Sequence, residues 1–368
     1  MKTKVRSINT DEYEALAAFL ATQVETDQAK LWLSRFGMWW ENNPAMDETI
    51  PRGWVIEDEE HEIAGFLGNI PVPFWVDGHL ALARAASSWY VRPEVRGVLG
   101  LQLNVAYSRQ KDADLFIRTT PNELVQAMLP RLGFERAAFP VGGREYLVVR
   151  DYGRAAALYG ASPGTGGTKR ALTSLARGPL SAVSPLLVRH RAGSGAAPDA
   201  GGAGTVGAWE VCTRCGTEFT AFWEEFRRPG TASVARDAQT LEWLYFSEPV
   251  AGKRTVVACR DKEGELAGYC AFDLLTPYGA GVRVLLLRDA FLPDRASART
   301  AVAAGKALAE EKDAATVAFW PASRRMEEVL KAETTTSRQT DYGYFYRWGR
   351  AGPAVLLPST VDPDRGTL

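Results

Sequence analysis

Two segments that lie 203 positions apart in this chain share one pattern. Ile56–Phe66 reads IEDEEHEIAGF and Cys259–Tyr269 reads CRDKEGELAGY, so acidic residues and an Ala-Gly pair recur at matching places. Each segment has the alternation of a β-hairpin with an acidic turn. A hairpin that is built twice predicts two related domains. The chain has 368 residues, which is enough for each domain to bury its own core.

The half that precedes residue 150 combines helical and strand patterns. Val5–Ile8 predicts a first strand, and apolar residues at helical spacing follow in Tyr13–Leu20 and Lys30–Glu41. Three strand candidates come next, and their short connections predict antiparallel neighbours; they are Trp54–Glu57, Glu62–Ile70 and Leu80–Val91. The aromatic residues of the second helix predict either core packing or the lining of an acceptor pocket; they are Trp32, Phe36, Trp39 and Trp40.

The junction between strand and helix at Ala85–Leu103 restricts the chemistry most. Ser87 and Trp89 alternate with their neighbours as on a strand, and apolar residues resume at helical spacing from Leu99. The turn between them contains Gly97, which lets the backbone approach a bulky anion. The first N–H groups of the following helix are unpaired and lie at the positive end of its dipole. The junction therefore predicts a binding site for a pyrophosphate.

The apolar strand Asp114–Arg118 is followed by a predicted helix start at Thr119–Glu123. Thr120 is placed to cap this helix, and Glu123 is placed to complete a capping box. Pro130 removes one backbone hydrogen bond and is expected to bend the last turn.

The order of elements over Val5–Arg150 resembles the Gcn5-related N-acetyltransferase fold: strand, two helices, three strands, a turn leading into a helix, strand, helix, strand. The strings that carry the resemblance are VRPEVRG at Val91–Gly97 and RLGF at Arg131–Phe134. The resemblance implies an α/β (α+β) chain of two tandem domains, each a mixed, mostly antiparallel central sheet flanked by helices. It also implies that acetyl-CoA or another acyl-CoA is the cofactor, with its pyrophosphate held by the amides of the turn.

The turn departs from the family signature in its spacing. Arg96, Gly97 and Gly100 are present, but the pattern is one residue short, so an ordinary strand-to-helix turn is the alternative. The residues that the resemblance assigns to cofactor binding are Tyr90, Val91, Arg96, Gly97, Val98, Leu99, Gly100 and Asn122.

The resemblance does not supply an obvious catalytic acid. Leu129 stands where many family members place a tyrosine that protonates the departing thiolate, and the fourth strand offers no evident glutamate base. Ser87, Ser88 and Tyr90 are the candidate catalytic residues, with purely structural roles as the alternative. Amide formation from a thioester needs a deprotonated amine, a polarised carbonyl and a positioned acid, without a covalent enzyme intermediate.

Composition divides the chain into four segments. Residues 1–150 are predicted to form the acyl-CoA-binding domain, 151–207 a Gly/Pro-rich basic linker with a helix, 208–350 a degenerate second domain and 351–368 a tail. The second domain carries no glycine in the corresponding turn, Asp294–Arg299, so it is not expected to wrap a pyrophosphate. We expect it to shape the acceptor pocket or to hold the first domain in place.

Charge and cysteine content bear on the partners. The 43 Lys and Arg residues balance 44 Asp and Glu residues at a net charge of -1, so no nucleic-acid partner is expected. The four cysteines lack the spacing of a zinc site, and no metal is expected. No signal-peptide core and no run of about 18 apolar residues occurs, which predicts a cytoplasmic protein. The basic segment 169–191 predicts contact with an anionic membrane surface or a protein, or a bridge between the halves.

Together these features predict an acyl-CoA-dependent N-acyltransferase that acts on a primary amine of a small molecule or on an amino sugar. The paired layout is similar to mycothiol synthase and the Fem-type transferases. The strings SSWYV and TTPN resemble acyltransferase-like proteins of bacterial surface-polysaccharide clusters. Two alternatives stay open: an aminoacyl-tRNA-dependent transferase, and a non-catalytic scaffold or regulator of the same fold.

Overall fold

The computed structural model describes residues 3–23, 28–119, 121–137, 140, 143–161, 207–228, 230–250, 252–277, 281–340, 343–349 and 355–356. Thr120, the basic segment 169–191 and most of the predicted tail lie outside these residues. Within them, no helix has both the length and the apolar character needed to cross a membrane.

The described chain alternates strands and helices in the predicted order. Its strands are β1 Lys4–Ser7, β2 Gly53–Glu57, β3 Ile63–Val76, β4 His79–Val91, β5 Leu115–Arg118, β6 Glu135–Arg136, β7 Arg144–Val149, β8 Trp209–Cys212, β9 Thr231–Val234, β10 Arg254–Arg260, β11 Leu266–Leu275, β12 Val284–Phe291, β13 Thr316–Phe319, β14 Thr336–Gln339, β15 Phe345–Trp348 and β16 Val355–Leu356. Its helices are α1 Tyr13–Gln23, α2 Ala29–Phe36, α3 Val98–Ser108, α4 Glu123–Met128, α5 Tyr152–Ala161, α6 Thr217–Phe226, α7 Ala238–Phe246, α8 Arg295–Glu311 and α9 Arg324–Glu333.

The strands form two mixed sheets. The first has the order β1-β2-β3-β4-β5-β15-β6, and β9, paired with β16, joins it beside β3. The second has the order β14-β7-β13-β12-β11-β10-β8. On the main path of each sheet one pair is parallel, β4 with β5 and β12 with β13, and the other described pairs are antiparallel. The predicted fold class, with mostly antiparallel sheets flanked by helices, is confirmed.

The strands that were expected to close each half are exchanged between the sheets. β7, expected to close the first domain, pairs with β13 and β14 in the second sheet. β15 pairs with β5 and β6 in the first. The described residues therefore fall into one compact unit from Met1–Ala138, Arg214–Gly252 and Tyr342–Leu368, and another from Phe139–Thr213 and Lys253–Asp341. These units cross the predicted boundaries 1–150 and 208–350, because strand alternation fixes which face is buried and leaves the partner strand open.

The aromatic residues that follow α1 pack as core, one of the two predicted outcomes. Trp39 and Trp40 are almost fully buried, and the Phe36 and Trp40 rings stack with their centroids 5.0 Å apart. Trp40 Nε1 donates to the backbone oxygen of Asn69 at 2.9 Å. The predicted helix is interrupted: α2 ends at Phe36, and the chain continues as a π-helical turn over Gly37–Glu41.

The repeated hairpin is confirmed in its register. A bulge follows Ile56 in the β2–β3 pair and Cys259, the matching residue, in the β10–β11 pair. The turn aspartates Asp58 and Asp261 each accept hydrogen bonds from two backbone N–H groups of their own turn, at 2.9 to 3.1 Å. The shared acidic residue is therefore part of the turn geometry.

The second sheet buries a charged cluster. Arg254 donates to both carboxylate oxygens of Asp273, at 2.6 and 3.0 Å, and Arg288 Nε donates to the same carboxylate at 2.6 Å. All three residues are more than nine-tenths buried. Burial alone would raise the pKa of Asp273, but the two guanidinium groups hold it below its ordinary value.

We expect Asp273→Asn to lower the free energy of unfolding by about 3 to 5 kcal/mol at neutral pH, because it leaves two buried arginines without a counter-charge. A carboxylate with a depressed pKa contributes stability above its unfolded-state pKa and loses it as the pH falls through the folded value. The difference between wild type and variant should therefore be complete at pH 7 and shrink below about pH 4.

Urea denaturation at several pH values measures this effect. Asp313→Asn is the matched control, since Asp313 also pairs with an arginine, Arg154, but lies on the surface and is expected to change stability little. An Asp273→Asn midpoint equal to that of Asp313→Asn would contradict the role given to the buried cluster.

Candidate functional site

The first sheet opens where β4 and β5 separate. The two strands pair in parallel at three positions, the last of which joins Ala85 to Ile117. β4 continues to Val91 along β3, whereas Arg118 at the end of β5 pairs on its other side with Phe345 of β15. Among the described residues, the edge of β4 beyond Ala85 therefore has no strand beside it. We call this opening the strand fork.

A bulge at Ser88 turns β4 inside the fork. Ser87 lies opposite Gly68 and Tyr90 opposite Phe66, so two residues of β4 face one of β3. The φ angle of Ser88 is 51°, in the left-handed region that a serine rarely adopts. Bulges and strained backbone of this kind concentrate near functional sites, where they redirect side chains.

Tyr107 of α3 ties the two strands together at the base of the fork. Its hydroxyl donates to the backbone oxygen of Arg84 at 2.6 Å and lies 3.3 Å from that of Ile117. Burial raises the pKa of Tyr107 to about 12, so the proton needed for these contacts stays on the hydroxyl at neutral pH. The Tyr107 side chain therefore lies where the pairing of β4 with β5 ends.

A pocket of about 260 Å³ lies in the fork. It brings together the three candidate catalytic residues and Asn122. The complete lining is Trp32, Ala86, Ser87, Ser88, Trp89, Tyr90, Arg118, Thr119, Pro121, Asn122 and Val125. The Ser87 and Ser88 hydroxyl oxygens are 3.1 Å apart. A larger, more open pocket of about 470 Å³ lies elsewhere in the same unit, and its lining includes no residue of the fork.

The glycine turn adjoins this pocket. A Cβ placed on Gly100 would lie 3.9 Å from the Trp89 ring and 3.7 Å from Val91. The Arg96 guanidinium Nε donates to the backbone oxygen of Val91 at 3.1 Å, which fixes the turn on the end of β4. The predicted cofactor-binding residues of β4 and of the turn thus lie next to one another.

Helix α3 begins at the turn without a side-chain cap. Gly97 is its N-cap, with a φ of 98°, and a Cβ added there would meet no atom within 4 Å. The first hydrogen bond of the helix runs from Leu101 N to Gly97 O, at 3.1 Å. The N–H groups of Val98–Gly100 come before it and therefore have no acceptor within the helix. Val98 is 71% exposed.

Asn122 has a structural contact in addition to its place in the pocket. Its side-chain oxygen accepts a hydrogen bond from Val125 N at 3.0 Å and so caps α4. The prediction that Thr120 caps this helix is wrong, because asparagine is an equally good cap and stands directly before the first helical residue. As expected, the helix changes at Pro130: a 3₁₀ turn, Leu129–Leu132, follows α4. Leu129 is buried.

The second unit has a capped helix at the corresponding place. Asp294 is the N-cap of α8, and its carboxylate oxygen accepts from the backbone N–H and the hydroxyl of Ser297, both at 2.8 Å. A negative charge therefore occupies the helix N-terminus and would repel a pyrophosphate. That this turn lacks a cofactor site stays a prediction.

The sequence reasoning missed Arg118 as a site residue. It lies in the pocket lining and is buried, but its only sequence signal is a charge that ends the apolar strand Leu115–Arg118. Trp32 was considered as core or as pocket lining, and it is both. The described residues contain no group of three or more metal-ligating side chains.

No protein-family model and no curated protein matches the sequence. Solved structures do match over most of the chain. The structure of a GCN5-related N-acetyltransferase from Anabaena variabilis is 12% identical with a TM-score of 0.55, covering 95% of this chain and 73% of that one. Saccharomyces cerevisiae N-myristoyltransferase, solved with bound myristoyl-CoA and inhibitors, is 11% identical with a TM-score of 0.54, covering 99% and 85%.

A third match is a conserved protein of unknown function from Enterococcus faecalis, described as a probable N-acyltransferase. It is 9% identical with a TM-score of 0.57, and the match covers 94% of this chain and 72% of that one. At these identities the likeness concerns the fold. The chain has the fold of the Gcn5-related N-acetyltransferases, as the sequence resemblance predicted.

We expect Tyr107→Phe to lower the free energy of unfolding by about 1 to 2 kcal/mol, because the buried oxygen of Arg84 loses its donor. Thermal denaturation measures the change. Tyr346→Phe is the matched control, since that hydroxyl bonds Glu135 at an exposed position and its loss should be nearly neutral. Equal melting temperatures for the two variants would contradict the role of Tyr107 at the fork.

Proposed function

We propose that this protein is an acyl-CoA-dependent N-acyltransferase that transfers an acyl group to a primary amine of a small molecule or an amino sugar. The observation that carries the proposal is that two features of the first unit lie side by side. One is the strand fork, and the other is the start of α3, where the N-cap is a glycine with open space around it. The fold likeness to acyltransferases supports the same function.

The residues of the turn fit the pyrophosphate of an acyl-CoA. The N–H groups of Val98–Gly100 offer donors at the positive end of α3. The space beside Gly97 lets an anion approach the backbone. Tyr90 and Val91 continue β4 toward the turn, and Asn122 lines the same pocket as Tyr90.

Acyl-CoA would supply a thioester, whose acyl carbon bonds to the amine nitrogen as the C–S bond breaks. The edge of β4 beyond Ala85 presents main-chain N–H groups that can polarise the thioester carbonyl. The hydroxyl groups of Ser87, Ser88 and Tyr90 lie in the same pocket, where one of them can hold the proton that the thiolate receives. Because Leu129 replaces the usual tyrosine, the acid must come from another element.

We expect the wild-type protein to bind acetyl-CoA or a longer acyl-CoA with a dissociation constant in the micromolar range or tighter, and Gly97→Glu to abolish binding. The glutamate would place a negative charge and a strained backbone where the pyrophosphate binds. Isothermal calorimetry with acyl chains of several lengths measures both effects.

Gly78→Glu is the matched control. Gly78 also has a positive φ, 94°, with no atom within 4 Å of an added Cβ, but it lies in the hairpin turn that begins β4. The control should therefore suffer the same backbone strain and keep its affinity. If neither the wild type nor the control bound any acyl-CoA, the non-catalytic scaffold would be the better account. The buried Leu129, which stands in place of the usual tyrosine, would agree with that account.

Among Ser87→Ala, Ser88→Gly and Tyr90→Phe, we expect one variant to lose about 100-fold or more in kcat with little change in KM for acyl-CoA, because it removes the catalytic acid. Glycine is chosen at Ser88 because it accepts the left-handed backbone. Steady-state kinetics measure the effect, and Tyr346→Phe serves as the unaffected control. If all three variants kept wild-type kcat, none of these hydroxyls would be the acid.

A further inference from the structure

Arg118 is a buried cation in the pocket lining. It is 5% exposed, and its guanidinium lies 4.6 Å from the Tyr107 ring centroid and 5.9 Å from that of Trp89. One guanidinium nitrogen donates to Asn104 Oδ1. Burial lowers the pKa of Arg118 to about 10, so the group is still charged at neutral pH.

No carboxylate pairs with Arg118 in the described part of the chain. Two other buried arginines have such a partner: Arg84 forms an ion pair with Asp112, and Arg254 forms one with Asp273. A buried charge without a counter-charge is costly. A buried cation without a counter-charge in the protein is expected where a bound ligand supplies the negative charge.

The rest of the pocket lining also lacks negative charge and contains unpaired donors. The lining contains no aspartate or glutamate. Arg118 Nε and the ring nitrogens of Trp32 and Trp89 are buried donors without a hydrogen-bond partner among the described residues. Buried donors are rarely left unpaired in native proteins. The positive charge of Arg118, in a lining without a carboxylate, favours a ligand that carries a negative charge.

We propose that this pocket binds the carboxylate of one of the two reactants, with Arg118 as its counter-charge. The inference rests on the acyl-transfer function proposed above. A guanidinium group can bind a planar carboxylate through two parallel N–H···O hydrogen bonds. The volume of about 260 Å³ lies below the usual range for drug-sized ligands, which favours a small reactant.

The carboxylate has two sources, the acceptor amine, as in an amino acid, or the acyl chain, as in a succinyl group. In both cases it is a bystander: the C–N bond forms, the C–S bond breaks, and the proton lost by the amine ends on the thiolate. Two kinetic comparisons separate the sources. One sets alanine against alaninamide with acetyl-CoA, and the other sets succinyl-CoA against acetyl-CoA with an uncharged acceptor amine.

We expect one of these comparisons to show a preference of about 100-fold in kcat/KM for the carboxylate-bearing reactant, and Arg118→Met to abolish it. Methionine keeps an unbranched apolar stem and removes the buried charge, which offsets the donor that Asn104 Oδ1 loses, so the variant should melt near the wild-type temperature. Arg52→Met, which removes an arginine paired with Glu41 on the surface, is the matched control and should keep the preference.

A binding readout separates this inference from the proposed function. Succinate and alanine, but not succinamide or alaninamide, should raise the melting temperature of the wild type and not of Arg118→Met. Acyl-CoA binding without any carboxylate preference or stabilisation would overturn the inference and leave the function standing. Stabilisation by inorganic phosphate as large as that by succinate would also overturn it. A failure to bind acyl-CoA would refute the proposed function, and the melting temperatures with succinate and alanine would then test the carboxylate site by itself.

Discussion

The separation of β4 from β5 after Ala85 is the constraint on which the site depends. A strand that continues without a neighbour exposes backbone donors, which must find water, a ligand or another protein group. The Tyr107 hydroxyl binds β4 just before the point of separation, at the backbone oxygen of Arg84, and the bulge at Ser88 turns the strand beyond it. The turn and the start of α3 follow within fifteen residues of this point.

The two units show how one repeated framework diverged. Both keep the bulged hairpin and both keep one parallel strand pair. At the next helix start the first unit has Gly97 and no side-chain cap, whereas the second has Asp294. At the bulge of the fourth strand the first has Ser88, whereas the second has Arg288, which is bound to Asp273. In the second unit, charged side chains that are bonded within the unit thus stand where the first has an uncapped helix start and a bulged serine.

The sequence predicted the elements that rest on local patterns and missed those that rest on distant partners. The repeat, the order of elements and the turn at Gly97 follow from alternation, spacing and glycine placement. The exchange of β7 and β15 could not be predicted, because the alternation of a strand of four to six residues does not say which sheet it joins. Arg118 was missed for the same reason, since its burial is set by residues of α3 and β4 that the local pattern does not connect to it.

That exchange makes the site a property of the whole chain. β5 has the fork on one side, where its pairing with β4 ends at Ile117, and β15 on the other, where Arg118 pairs with Phe345. Without β15, the end of β5 that carries Arg118 would have no paired neighbour on either side, and a short unpaired strand end is free to fray. β15, from the second half of the sequence, therefore holds in place a cation that the first half supplies. The second half thus has a physical reason to be retained whether or not its own helix start binds a ligand, since β15 stabilises the pocket of the first unit.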